Sequence, residues 1–352
     1  MNEQIIQTSC QEEPTTTHSR PKALFALDPA SLDIIYGPEE RAKLEKLGDF
    51  YAAPQSPDSI KADLSVLEEA EVIFSGWGAP VMDEAFMAAA KNLKAVFYGA
   101  GSIRSFAKPA FWERDVLITT AADANAVPVA EYCVGTILLS MKNFWPLARG
   151  TRADEGWLAA AHMREVPGNF RSTAGFISLG AIAKKTLNLL EPYDIKRLAY
   201  STSLTVERAK SMKVDLASID EIFQQSDVIS LHTPDLPATK GMITGRHFEM
   251  MKPGSTFINT ARGAVVNEAE MCEVLARRPD ITAVLDVTAP EPPLPGAPVA
   301  TLPNVVLTPH IAGSLGKECY RLGYFMQCEF ERYLAGEPLQ HIVTKEAFDR
   351  SA

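Results

Sequence analysis

Short apolar runs recur along the chain, each closed by a polar or glycine-rich break and followed by a segment with helical spacing. In the first third they fall at 22–27, 71–74, 93–98 and 116–119. They resume at 174–177, 197–200, 227–231, 256–258, 283–287 and 305–309. Runs this short, bounded by turn formers, read as strands buried on both faces. Helices are expected between them, opening at Gly37-Pro38-Glu39-Glu40 and covering 82–90, 125–141, 216–225 and 267–278. A further helix follows the strand at 174–177, and a long one runs from Gly313 to about Leu334, with Gly336 and Pro338 as stop signals. Strand and helix in alternation predict parallel sheets, so the fold class is α/β. The stretch 143–170 is irregular and rich in Trp and Arg.

Length and composition add limits. The 352 residues suffice for two domains. Apolar residues make up 46% and charged residues 22%, an ordinary globular balance. A net charge of −10 argues against nonspecific binding to nucleic acid or an anionic membrane. Five cysteines without a C-x-x-C pair suit reduced thiols and a cytoplasmic setting. No apolar stretch approaches a membrane span. Residues 1–20 lack the features of a signal peptide and read as a disordered arm.

Candidate chemistry gathers near the end of the chain. Arg262, Glu291 and His310 each lie at or just past the end of an expected buried strand. That edge of an open parallel sheet is where ligands bind. Arg offers a planar fork for a carboxylate. His exchanges a proton near neutral pH, and a Glu beside it stabilises the imidazolium. Together they suit a 2-oxo or 2-hydroxy acid. Taken singly, they read better as a salt-bridged Arg, a solvated loop Glu and a core His; the three together favour the chemistry. No metal-binding constellation is visible.

Three strings in order, Asn259-Thr260-Ala261-Arg262-Gly263, Asp286-Val287-Thr288-Ala289-Pro290-Glu291-Pro292 and Thr308-Pro309-His310, resemble the D-isomer-specific 2-hydroxyacid dehydrogenase family. The resemblance spans about Lys22 to Leu339. It implies two doubly wound parallel-sheet domains, a Rossmann-type cofactor domain at 125–313 and a flavodoxin-like substrate domain from 21–124 and 314–352. It also implies a homodimer, with the 143–170 region contributing. Arg262 would clamp the substrate carboxylate, His310 would donate the proton, and Glu291 would keep His310 charged and oriented. The related formate dehydrogenases carry Gln at the Glu position, so Glu291 argues against that chemistry. A cofactor-sensing regulatory protein of the same fold is the alternative, separated by turnover with 2-oxo acids.

By the same resemblance the cofactor, NAD or NADP, would meet Ser178, Gly180, Ala181, Ile182, Ser201, Thr202, Thr233, Pro234, Thr239, Thr260, Ala261, Asp286 and Gly313. Asp286 would hold the nicotinamide carboxamide, and His232 would lie beside the adenine as a packing or contact residue. The substrate would meet Trp77, Gly78, Ala100 and Gly101 besides Arg262. Three departures stand out. The glycine fingerprint Gly-x-Gly-x-x-Gly is reduced to Ser178-Leu179-Gly180-Ala181-Ile182-Ala183. The acid expected after the next strand is replaced by Ser201-Thr202-Ser203. Losing its repulsion predicts that NADP(H) is accepted; Arg208 would help only if the loop folds back. Finally, Arg104 stands near where the family has an Asp.

Overall fold

A computed structural model describes residues 20–152 and 166–350. The expected arm at 1–20 falls almost wholly outside that range, as does the middle of the 143–170 segment. The described chain forms two compact units, one from residues up to Asn125 and from Ser314 onward, the other Ala126–Gly313. Both carry a fully parallel sheet with helices between successive strands.

The first unit contains β1 (Lys22–Phe25), β2 (Asp49–Phe50), β3 (Val72–Ser75), β4 (Ala95–Tyr98) and β5 (Leu117–Thr120). They lie in the order β2-β1-β3-β4-β5. Every residue of β3 and β4 is buried, as central parallel strands require. The helix Tyr320–Ala335 lays Phe330 edge-on against Phe74 and Phe97, with ring centroids at 5.0 and 5.3 Å. Its Glu329 is fully buried, and the carboxylate accepts bonds from Arg332 Nη1, Gln340 N and His341 N at 2.9, 2.9 and 3.0 Å. Those bonds anchor the chain end, where Val343 N donates to Ile118 O at 2.8 Å.

The second unit contains β6 (Thr173–Ile177), β7 (Lys196–Tyr200), β8 (Asp215–Leu216), β9 (Val228–Leu231), β10 (Thr256–Asn259), β11 (Thr282–Leu285) and β12 (Val305–Leu307). Their order is β12-β11-β10-β9-β6-β7-β8. The winding reverses between β6 and β9, which opens a crevice at their C-terminal ends. The helix Ala122–Ser140 carries the chain into this unit.

Two strands escaped the sequence pattern. β2 and β8 are two residues long, lie at sheet edges and alternate too briefly to show a period. The helix expected over 216–225 begins at Ile219 instead. Ser218 Oγ accepts from Glu221 N, and the Glu221 carboxylate accepts from Ser218 N, so a capping box fixes the start. No single helix among the described residues is long and apolar enough to cross a membrane; Ala122–Ser140 and Phe144–Thr151 pass only as a pair bent by 61°.

Candidate active site

Three loops leave the C-terminal ends of β10, β11 and β12, and each is built around one polar anchor. After β10, Asn259 folds its amide over the turn: Oδ1 accepts from Ala261 N at 2.9 Å and Nδ2 donates to Arg262 O at 3.0 Å. Arg262 then starts a short 3-10 turn with extended backbone, and its Nη1 donates to Ala261 O at 2.7 Å. Gly263 allows the next contact. A Cβ there would lie 2.1 Å from the carbonyl carbon of Thr288, so only glycine lets the Arg262 loop press on the loop that carries Glu291.

After β11 the chain passes Asp286 and enters a proline-rich turn in which the Ala289–Pro290 and Glu291–Pro292 bonds are both cis. Glu291 Oε1 meets His310 Nδ1 at 2.6 Å. Both side chains stay open to solvent, at 41% and 48% exposure. The pairing leaves His310 Nε2 as the ring nitrogen that Glu291 does not engage. A groove of about 510 Å³ is lined by Asp286, Thr288, Glu291, Leu307, Thr308 and His310, among others. Arg262 belongs to the adjoining loop and is not among its lining residues.

His310 has φ +56, a left-handed conformation that strains a residue with a Cβ by roughly 1–2 kcal/mol. Asp286, only 2% exposed, holds it there. Its carboxylate accepts from Thr308 Oγ1 at 2.6 Å, Ile311 N at 2.8 Å and Ala312 N at 2.9 Å, and its carbonyl accepts from His310 N at 3.0 Å. Tyr132 Oη lies 3.3 Å from Thr308 Oγ1 and extends the chain of bonds. Asp286 thus shapes the His310 loop, and it also lines the groove where the resemblance implies its nicotinamide role.

The β6 turn shows how a Ser can replace the first fingerprint glycine. Ser178 takes φ +72, the left-handed conformation that favours glycine there, and its hydroxyl bonds Thr233 Oγ1 at 2.9 Å. Gly180 precedes the helix Ala181–Leu189, which no side chain caps, and a Cβ on Gly180 would meet nothing within 4 Å. Backbone N–H groups thus open onto free space at the switch point, an arrangement that fits a pyrophosphate. Ala181 is exposed and Ile182 half-buried.

Other expected contacts are redirected inward. Thr260 is buried, and its hydroxyl meets Cys133 Sγ at 3.3 Å. Burial pushes the Cys133 thiol up to about 11, which leaves it inert. Thr239 Oγ1 donates to Pro234 O at 2.6 Å and closes its own turn. His232 stacks on Phe176 at 6.0 Å, and burial lowers it to about 4, so it stays neutral near pH 7 and is no second acid. Ala261, Pro234 and Gly313 lie half-buried at the same edge.

In the first unit, Trp77 is 37% exposed and Gly78 takes φ +72 against Asp28. Ala100 is 1% exposed, its N–H donates to Tyr98 O and its carbonyl accepts from Ala121 N. Gly101 alone of that pair borders open space. Arg104 sits over the Phe348 ring at 4.8 Å and donates to Phe348 O, tying the last helix to the loop. Sequence reasoning missed Tyr36, whose buried hydroxyl donates to Ser75 O at 2.7 Å and reaches Phe97 O at 3.2 Å, joining the ends of β3 and β4. Nothing local in the sequence marks that role.

The fold and the three loops define a two-unit parallel α/β architecture of the dinucleotide-binding type. Residues 134–312 match the sequence model for the D-isomer specific 2-hydroxyacid dehydrogenase NAD binding domain. The chain belongs to this family. Among its relatives, the D-3-phosphoglycerate dehydrogenase of Archaeoglobus fulgidus is 30% identical over 271 residues, covering 77% of this chain and 51% of that protein. The Homo sapiens D-3-phosphoglycerate dehydrogenase is 27% identical over 260 residues, covering 74% and 48%. The chain thus spans about half the length of the curated relatives it matches. In fold it is similar to apo D-mandelate dehydrogenase of Rhodotorula graminis, with TM-score 0.77 and 21% identity over 93% of this chain and 98% of that one.

Proposed function

We propose that the protein is an NAD(P)-dependent D-2-hydroxyacid dehydrogenase that reduces a small 2-oxo acid and runs the reverse oxidation. The observation that carries this reading is the 2.6 Å pair of Glu291 Oε1 and His310 Nδ1 at the ligand-binding edge of the sheet. Glu291 engages Nδ1, orients the ring and leaves Nε2 for the substrate. His310 Nε2–H then donates its proton to the carbonyl oxygen of the substrate as that oxygen gains charge. Arg262 binds the carboxylate; its fork is exposed and, apart from Nη1, is engaged by no described residue. Gly101 and Trp77 are the contacts assigned to the rest of the substrate.

The dinucleotide, when bound, supplies the hydride. Ser178, Gly180, Ala181 and Ile182 would hold its pyrophosphate, with Thr233 bracing Ser178 and with Ser201 and Thr202 at the ribose. NADP(H) is included because no acid stands at the end of β7. A homodimer is part of the proposal, supported by Phe144 and Phe170, which are 44% and 65% exposed in the second unit.

A panel of 2-oxo acids assayed with NADH and NADPH tests the activity. His310→Ala is expected to lower turnover by about 10²–10⁴-fold while leaving cofactor affinity unchanged. Unchanged turnover in that variant would remove His310 from the chemistry.

A further inference from the structure

We propose that Ser201, Ser203 and Arg208 form a phosphate subsite that selects nucleotides bearing a 2′-phosphate. The inference rests on reading the β6 turn as a dinucleotide site. In that arrangement the residue at the end of the second strand faces the adenosine ribose. Here the two loops are joined directly: Ser178 N donates to Tyr200 O at 2.7 Å, so the loop after β7 starts beside the turn that carries Gly180.

Ser201 stands where an acid would bind the ribose and repel a phosphate. Leu204 N donates to Ser201 O at 3.1 Å, which curls the loop, and the Ser201 and Ser203 hydroxyls approach to 3.4 Å. Arg208 lies in the next helix, Val206–Ser211, yet its side chain runs backward over the loop. Nη1 donates to Ser203 O at 2.9 Å. That bond fixes the guanidinium at the loop and uses one of its five N–H donors; no other described residue takes the rest.

One acid precedes Arg208 in the helix. Glu207 is held below the ordinary carboxylate range by its own backbone N–H and the Thr205 hydroxyl, so its charge is turned onto the helix start. What remains is a fixed fork and two hydroxyl donors, the set that binds a phosphate dianion. An unphosphorylated ribose offers such a fork no charged acceptor.

The test uses adenosine 2′,5′-bisphosphate and 5′-AMP, which differ only in the 2′-phosphate, titrated calorimetrically without substrate. The full-length protein is expected to bind the bisphosphate at least about tenfold more tightly, as a charge-assisted pair implies. Arg208→Ala, at an exposed position, should remove that advantage and leave 5′-AMP affinity within about twofold. Ser201→Asp should reverse the preference by like-charge repulsion. Equal affinities in the wild type, or a preference that survives Arg208→Ala, overturn the subsite alone. Failure of both nucleotides to bind overturns the dinucleotide site and the subsite together.

Discussion

At the scale of single residues, the site depends on keeping one histidine in a conformation it disfavours. Thr308, Ile311 and Ala312 all donate to the Asp286 carboxylate, and this closes the loop around His310. Asp286→Asn would turn an amide N–H toward at least one of those donors. We expect it to cost about 2–3 kcal/mol of stability and to lower kcat. Cofactor Kd should stay constant, because the residue acts through His310. Chemical denaturation and fluorescence titration measure both; a change confined to cofactor Kd would assign Asp286 to the carboxamide instead. Arg262, Glu291 and His310 were legible in the sequence because their chemical types stand in recognisable strings. The anchoring by Asp286 was not, because its partners are backbone amides and a hydroxyl more than twenty positions downstream. The internal bonds of Thr260 and Ala100 were hidden for a related reason. Position beside a catalytic string says nothing about which way a side chain or an N–H turns.

At the scale of elements, strand ends bring the chemistry together, and the loops must then pack on one another. Gly263 is the tightest of these contacts. Gly263→Ala would push a methyl group into the Thr288 carbonyl, where backbone on both sides has little room to retreat. The expected loss is about 1–3 kcal/mol, read from a thermal or urea transition, together with lower turnover. A variant of wild-type stability would show that the two loops separate easily. The central strands were readable because burial on both faces writes an unbroken apolar run. β2 and β8 were not, since a two-residue edge strand carries no period. Ser178 shows a subtler limit. The fingerprint lacked its first glycine, yet the backbone adopts the glycine conformation and Thr233 braces the hydroxyl that takes its place.

At the scale of the whole molecule, the proposed dimer is checked by light scattering: we expect twice the chain mass at micromolar concentration, and a monomer would count against it. The division of the chain makes a second, independent expectation. Ala126–Gly313 contains its own sheet and core and should fold when produced alone, giving a cooperative thermal transition. Residues 20–125 alone should not, because their sheet lacks Phe330 and the rest of the helix Tyr320–Ala335. Circular dichroism of the two fragments decides the matter.

That helix also sets a timetable. During synthesis Phe74 and Phe97 leave the ribosome early, while the ring that covers them is encoded after the entire inserted unit. The nascent first unit must therefore wait with one aromatic face bare, and the insert has time to finish folding first. The buried Glu329 follows: its carboxylate stays in water until Gln340 and His341 emerge to bond it. Synthesis of the first unit is thus completed only after the insert, and a ribosome that stalls before Tyr320 leaves behind a finished insert on an unfinished scaffold.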